Sequence, residues 1–200
     1  MQETAATVRA QDGLAGPDAN SRLTATTAVV LLVLLGVEGA TLLSLRTFVS
    51  WHIFVGMLLV PVVGLKVGTT GYRFAAYYAG RAAYVRAGAP PTPLRLLGPI
   101  VVVSTLALFG TGVALAAAGP DTRYVLALHK ASFVVWVAAM SIHVLAHVAR
   151  LPSLARSGVG GGAGARASIV GAAVVSGAIL AVATLPLLGP WEHWARVAGG

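Results

Sequence analysis

The stretch GPIVVVSTLALFGTGVALAAA, residues 98–118, contains no charged residue and decides the class of fold. About 20 apolar residues in a helix that rises about 1.5 Å per residue cross about 30 Å of hydrocarbon. Four further stretches have this length and character, and they lie at residues 24–45, 49–69, 124–149 and 168–189. The sequence therefore predicts an all-α integral membrane bundle with about five transmembrane helices.

The composition supports a membrane protein and excludes several classes of chemistry. Of the 200 residues, 57% are hydrophobic and 10% are charged, whereas roughly 25% are charged in soluble domains. The chain has no cysteine, which excludes disulfides, iron–sulfur clusters and thiolate chemistry. It also lacks flavin, nucleotide and molybdenum motifs, so we expect any substrate chemistry to belong to a partner protein.

The net charge of +8 comes mainly from basic residues in the loops beside the predicted spans. Nine of them lie on the side of the N-terminus, namely Arg9, Arg22, Arg73, Arg81, Arg86, Arg95, Arg150, Arg156 and Arg166. Four, Arg46, Arg123, Lys130 and Arg196, lie on the opposite side. Because basic loops stay in the cytoplasm, this predicts a multi-pass protein of a prokaryotic cell membrane with the N-terminus cytoplasmic and the C-terminus outside. Membrane lipid, and not nucleic acid, is the expected partner of these charges.

The predicted spans divide the chain into a core and its attachments. We expect residues 1–22 to form a flexible cytoplasmic tail and residues 23–150 to form a four-helix core. Residues 151–167 are rich in glycine and predict a flexible cytoplasmic linker. Residues 168–200 then form a fifth transmembrane helix with a short outer tail, as an appendage to the core.

The connections within the core differ in length. The segments 46–50 and 119–123 are short, so spans one and two, and spans three and four, are expected to be antiparallel neighbours. The segment GYRFAAYYAGRAAYVRAG, residues 71–88, is rich in tyrosine and arginine. These residues favour the membrane interface, so we expect the second helix to continue past the hydrocarbon.

The histidines carry the chemistry of the sequence. Four of the five, His52, His129, His143 and His147, fall in predicted spans, where ionisable residues are rare and usually functional. His52 and His129 lie near the outer ends of two spans that run in the same direction, so their imidazoles should lie at similar depth. Two facing helices with one imidazole each can supply both axial ligands of a haem iron. The alternative is hydrogen bonding between helices, at roughly 0.6–2 kcal/mol for each histidine.

The surroundings of these two histidines fit a haem. Gly56, one turn from His52, leaves space where a porphyrin can approach the helix. Ser132, Phe133 and Trp136 share much of the face of span four on which His129 lies. The basic residues Arg46, Arg123 and Lys130 are expected near the outer surface, where haem propionates need cations.

Span four also carries histidines at a second depth in the membrane. His129 and His143 are fourteen residues apart, which is about 40° from a full return around a helix and about 21 Å along it. His147 lies one turn further on the same face. Imidazoles on one face, separated by most of the hydrocarbon thickness, are what two stacked haems require.

Two segments resemble a known family. HIFVG at 52–56 and the H-x13-H segment HKASFVVWVAAMSIH at 129–143 are similar to the membrane cytochrome b subunits of formate dehydrogenases and nickel–iron hydrogenases. They are more loosely similar to cytochrome b561-like proteins. The resemblance covers about residues 24–150. It implies haem b, an outer haem held from spans two and four by His52 and His129, and electron transfer between a partner oxidoreductase and the quinone pool.

The resemblance also implies an inner haem held by His143 and a partner near the start of span one. Span one contains no histidine, so that ligand is missing. Lys66, fourteen residues after His52, is an alternative ligand, although lysine at the edge of a span more often reaches the interface. One haem is therefore expected and two remain possible. Without the second, His143 and His147 are free to bind a quinone head group and relay protons.

Glu38 is the only carboxylate within a predicted span. It can accept a proton during quinol oxidation, or it can pair with Lys130 or Arg46, and nearby cations favour the pairing. His193 is assigned no role. A haem-free membrane anchor or a small transporter that uses His143, His147, Lys66 and Glu38 remains the alternative to a cytochrome.

Overall fold

A computed structural model describes residues 16–88, 92–148 and 162–197, and all regular elements in these ranges are helices. The α-helices are α1 (Pro17–Thr41), α2 (Leu45–Tyr78), α3 (Ala82–Arg86), α4 (Thr92–Ala118), α5 (Arg123–Val148), α6 (Ala163–Ala183) and α7 (Gly189–Val197). Short 3-10 helices at Leu42–Ser44 and Leu185–Leu188 precede α2 and α7. The predicted all-α class is confirmed for this part of the chain.

Four helical segments are long and apolar enough to cross a membrane: Pro17–Tyr78, Arg95–Ala118, Arg123–Ala146 and Ala163–Ala183. Many of their large apolar side chains point outward, as with Val33 at 64%, Val134 at 67% and Leu145 at 72% exposure. An apolar surface of this extent is stable against lipid and costly against water. The expectation of a membrane protein is therefore supported by the outer surface as well as by helix length.

The first of these segments is folded back on itself. At one end, Lys66 Nζ donates a hydrogen bond of 2.9 Å to the Thr24 carbonyl. At the other end, Glu38 Oε1 lies 3.0 Å from His52 Nδ1. The backbone leaves the helical conformation at Ser44, with φ −147° and ψ 71°. Helices α1 and α2 therefore form an antiparallel hairpin, as expected, but the turn lies at Leu42–Ser44 and the segment 46–50 that was predicted to form it belongs to α2.

The hairpin begins earlier and extends further than the predicted spans. Helix α1 starts at Pro17, within the segment expected to be a tail, and residues 1–15 of that tail lie outside the described residues. Helix α2 contains 34 residues and is about 51 Å long at about 1.5 Å per residue. It therefore continues past the hydrocarbon, as its tyrosines and arginines predicted.

The end of α2 turns back on itself. Gly80 has φ +72°, a conformation that favours glycine because it has no Cβ. After this turn, the ring of Tyr84 packs edge-on against Tyr72 at a centroid distance of 5.8 Å. Arg81 Nη1 donates a hydrogen bond of 2.8 Å to Tyr72 Oη. Helix α3 is thus tied to the last turns of α2.

Helix α6 packs tightly along α2. Leu59 and Val62 of α2 are fully buried, and they share a cluster with residues of α1 and α6. Small residues on α6 allow the close approach, since Gly177 lies against the Leu58 backbone and Ala181 is 1% exposed. Small residues commonly let membrane helices approach in this way. The structure therefore corrects the expectation that this helix is an appendage.

We predict that Gly177→Ala lowers the stability of the protein. The added Cβ would overlap the Leu58 carbonyl oxygen, so α6 has to move away from α2, at a cost of about 1–3 kcal/mol. The matched control is Gly171→Ala on the same helix, where the added Cβ meets nothing within 4 Å. Thermal unfolding in detergent should show a lower midpoint for Gly177→Ala alone. Equal midpoints would contradict the tight α2–α6 contact.

Candidate functional site

Two groups of helices leave a space between them. Helices α1, α2 and α6 pack together, and α4 packs along α5 and meets α2. Helix α5 packs chiefly against α4, so α2 and α5 face each other across a gap. The gap lies at the end of the bundle that holds the turn Leu42–Ser44 and residues 119–122, which we call the upper end.

This gap is a cavity of about 510 Å³, within the range of about 300–1,000 Å³ for small-molecule sites. Its walls are mostly apolar. The ionisable side chains that line it are Glu38, His52, His129 and Lys130. An apolar cavity on which a few polar groups converge is the usual form of a ligand site.

The geometry around His52 fixes the position of its proton. His52 Nδ1 lies 3.0 Å from Glu38 Oε1 and 2.9 Å from Thr41 Oγ1. The Thr41 hydroxyl proton is used in a hydrogen bond of 2.5 Å to the Glu38 carbonyl, so its oxygen acts as an acceptor towards His52. Both neighbours of Nδ1 are therefore acceptors, and Nδ1 carries the proton.

His129 has the same arrangement with a different partner. Its Nδ1 lies 3.2 Å from Thr111 Oγ1. The Thr111 hydroxyl proton is used in a hydrogen bond of 2.7 Å to the Ala107 carbonyl, so this oxygen also acts as an acceptor. Gly112 allows the imidazole to lie against α4, because a Cβ there would come within 3.1 Å of His129 Cε1.

In both histidines, Nε2 therefore keeps its lone pair. The side-chain contacts of both rings in the described part of the chain are at Nδ1. The two rings line the same cavity from α2 and α5. A histidine that ligates a metal commonly holds its other nitrogen in a hydrogen bond to a protein acceptor. The arrangement is thus suited to two imidazole ligands on one centre.

Three further residues were predicted to belong to a site: Lys66, His143 and His147. Lys66 and His143 do not line this cavity, and Lys66 Nζ donates to the Thr24 carbonyl. The side chain of His147 lies outside the described residues, so its grouping with Lys66 and His143 stays a prediction. No group of three or more His, Asp or Glu side chains suited to a metal ion occurs in the described ranges.

Glu38 has a partner that the sequence analysis did not anticipate. The pairing was expected with Lys130 or Arg46, whereas Oε1 contacts His52 Nδ1. Antiparallel packing of α1 on α2 causes this, because it brings the end of α1 beside the beginning of α2. Gly56 faces the same carboxylate, and a Cβ there would lie 3.5 Å from Oε1.

Sequence reasoning also missed the upper wall of the cavity. Trp191 and Trp194 of α7 line it, and Trp191 is 6% exposed. Trp191 Nε1 donates a hydrogen bond of 3.4 Å to the Ala116 carbonyl, and Ser50 Oγ donates one of 3.1 Å to Glu192 Oε1. The tryptophans had suggested only an interfacial belt, since their position over α2 and α4 depends on where α6 packs.

The threonines beside the histidines were missed as well. Thr41 and Thr111 lie on neighbouring helices, 11 and 18 residues before the histidines that they contact. Phe133 and Trp136, by contrast, line the cavity together with His129, as the helical spacing predicted. Periodicity within one helix is visible in a sequence, whereas contacts between helices are not.

Comparison with protein-family models, with curated proteins and with solved structures found no match for this chain. The functional argument therefore depends on the geometry of the cavity and on the residues that line it.

We predict that removing the Trp191 side chain opens the upper end of the cavity. The chain has no natural cysteine, so Ala116→Cys places a single thiol at a cavity residue that is 5% exposed. A water-soluble thiol reagent should modify this cysteine several times faster in a Trp191→Ala background. The control background is His193→Ala, which removes an exposed ring from the same helix. Equal rates in the two backgrounds would contradict a covering role for α7.

Proposed function

We propose that this chain is a membrane b-type cytochrome that transfers electrons between a partner oxidoreductase and the quinone pool. In this proposal the chain crosses the membrane five times, and α1, α2, α4 and α5 form the core that holds one haem b. The observation that carries the proposal is the convergence of His52 and His129, each with an unprotonated Nε2, on one apolar cavity.

The residues of the cavity fit a haem in several independent respects. Bis-histidine ligation needs two neutral imidazoles on opposite walls, and α2 and α5 supply them. A flat macrocycle needs a wall without bulky side chains, and Gly39 lines the cavity at a point where an added Cβ meets nothing within 4 Å. Haem propionates need a cation, and Lys130 lines the cavity with an exposed side chain.

Haem b, when bound, supplies a reversible one-electron couple. The chain itself holds the iron through His52 and His129, and the hydrogen bonds at their Nδ1 atoms orient both rings. The apolar walls and the Trp191 side chain keep water from the site, which holds the local dielectric constant low. Substrate chemistry is assigned to a partner protein, because the chain carries no motif for it.

The proposed orientation places the upper end outside a prokaryotic cell membrane and the N-terminus in the cytoplasm. It is supported by the predominance of basic residues near the opposite end, including Arg73, Arg81 and Arg86, since such residues favour the cytoplasmic side. The site would then lie nearer the outer surface.

The contact made by Lys66, at the end of the α1–α2 hairpin far from the cavity, favours a single haem. Lys66, the alternative ligand for an inner haem, is engaged with the Thr24 carbonyl on α1. This contact agrees with a lysine that extends along its neighbour towards the interface. A quinone bound near His143 and His147 stays part of this proposal.

We predict that dithionite-reduced membranes that contain this protein show a b-type spectrum with about one haem per chain. His52→Ala and His129→Ala should each abolish it, because each removes one axial ligand. The matched controls are His143→Ala and His193→Ala, whose side chains do not line the cavity. Both controls should retain the haem.

Full haem content in either His52→Ala or His129→Ala at normal expression would reject this ligand pair. A colourless wild-type protein, purified after expression with haem supplied, would instead favour the haem-free anchor or transporter. About two haems per chain, halved by His143→Ala, would restore the inner site.

We also predict that Gly112→Val lowers haem occupancy. The new side chain would come within 3.1 Å of His129 Cε1 at its first atom, which forces the imidazole away from α4 and out of alignment with the cavity. Gly110→Val is the control on the same helix, because a Cβ there meets nothing within 4 Å. The pyridine haemochrome assay measures haem per chain. Equal occupancy in the two variants would contradict the proposed position of His129.

A further inference from the structure

Glu38 is a carboxylate in an apolar helix, and it contacts the imidazole of His52. Its side chain is 16% exposed, and Oε1 lies 3.0 Å from His52 Nδ1. The second oxygen, Oε2, is buried and has no hydrogen-bond partner in the described part of the chain. Since an ionised group in hydrocarbon is costly unless it is paired, the contact with His52 accounts for this carboxylate.

The two histidines differ in the acceptor at Nδ1. His52 faces a carboxylate oxygen and a hydroxyl oxygen, whereas the acceptors beside His129, the Thr111 hydroxyl and the Leu108 carbonyl, are both uncharged. A hydrogen bond to an ionised acceptor is roughly twice as strong as one between neutral groups. A carboxylate on the far nitrogen also makes the imidazole a more basic ligand.

We infer that Glu38 is the positioning residue of His52: it holds the tautomer with Nδ1 protonated and makes His52 the stronger electron donor of the two ligands. The inference rests on the proposed function, because it assigns a role towards the iron that His52 would hold. The inference adds to the proposed ligand pair, because it states that His52, through Glu38, has the larger effect of the two ligands on the reduction potential. A more basic ligand stabilises oxidised iron, so Glu38 lowers the potential of the centre.

The decisive variant is Glu38→Gln, which keeps the size of the side chain and an acceptor oxygen but removes the charge. We expect this variant to retain haem and to have a higher midpoint potential in a redox titration at one fixed pH. The expected change in the equilibrium constant for reduction is about tenfold, which is about 59 mV for a one-electron couple. Glu38→Asp keeps the charge on a shorter side chain and should fall between wild type and Glu38→Gln.

Thr111→Val is the matched control on the other ligand, because it removes a neutral partner of His129 Nδ1. Its potential should shift several-fold less than that of Glu38→Gln. An unchanged potential in Glu38→Gln, or an equal shift in Thr111→Val, would overturn the inference while the wild-type spectrum still supports a cytochrome. Should Glu38→Gln fail to fold, the tautomer of His52 in the wild-type chain, measured as follows, still tests the inference.

A second measurement does not depend on haem. The full-length chain, labelled with ¹⁵N-histidine and prepared without haem, reports the tautomer of His52 at about pH 8, where an ordinary imidazole is neutral. The signal is assigned by its loss in His52→Ala. We expect a protonated Nδ1 and an unprotonated Nε2. The opposite tautomer would overturn the inference, whereas a haem-free wild type with the expected tautomer would overturn the proposed function alone.

Discussion

Polar side chains inside the hydrocarbon must find partners within the protein, because water does not reach them there. Three threonines show the simplest solution, since Thr27, Thr105 and Thr184 each donate a hydrogen bond to a carbonyl of the preceding turn. Lys66 uses the carbonyl of a neighbouring helix. Glu38 uses a histidine side chain. The hydrogen bonds of these five residues thus lie within helices or across the hairpin.

The same constraint explains the chemistry of the cavity. Thr41 and Thr111 donate to carbonyls of their own helices, so only their oxygen lone pairs remain for the histidines. An imidazole nitrogen that faces such an oxygen has to carry the proton, so Nδ1 is the protonated nitrogen of each ring. The lone pair of Nε2 is left for a ligand in the cavity. Helix hydroxyls that donate to the backbone therefore also set the tautomers of both histidines.

Close packing at one side of the bundle produces open space at the other. Gly177 and Ala181 let α6 lie against α2, and α4 and α5 form a separate pair. The space between α2 and α5 is the cavity, and α7 follows α6 directly and places Trp191 over its upper end. The contact of α6 with α2 thus has a consequence for the site, because it positions the two tryptophans that line the upper wall of the cavity.

The sequence by itself determined the helical class, the approximate spans and the two histidines at similar depth. Apolar runs and the spacing of residues on one helix are local properties, and they also placed Phe133 and Trp136 beside His129. Only the tertiary structure decided that Glu38 pairs with His52, that Thr41 and Thr111 fix the tautomers, and that Trp191 covers the cavity. Each of these contacts joins different helices, and its formation depends on how the helices pack. Helix packing in a membrane is set by close backbone approach at small residues, which an apolar sequence pattern does not specify.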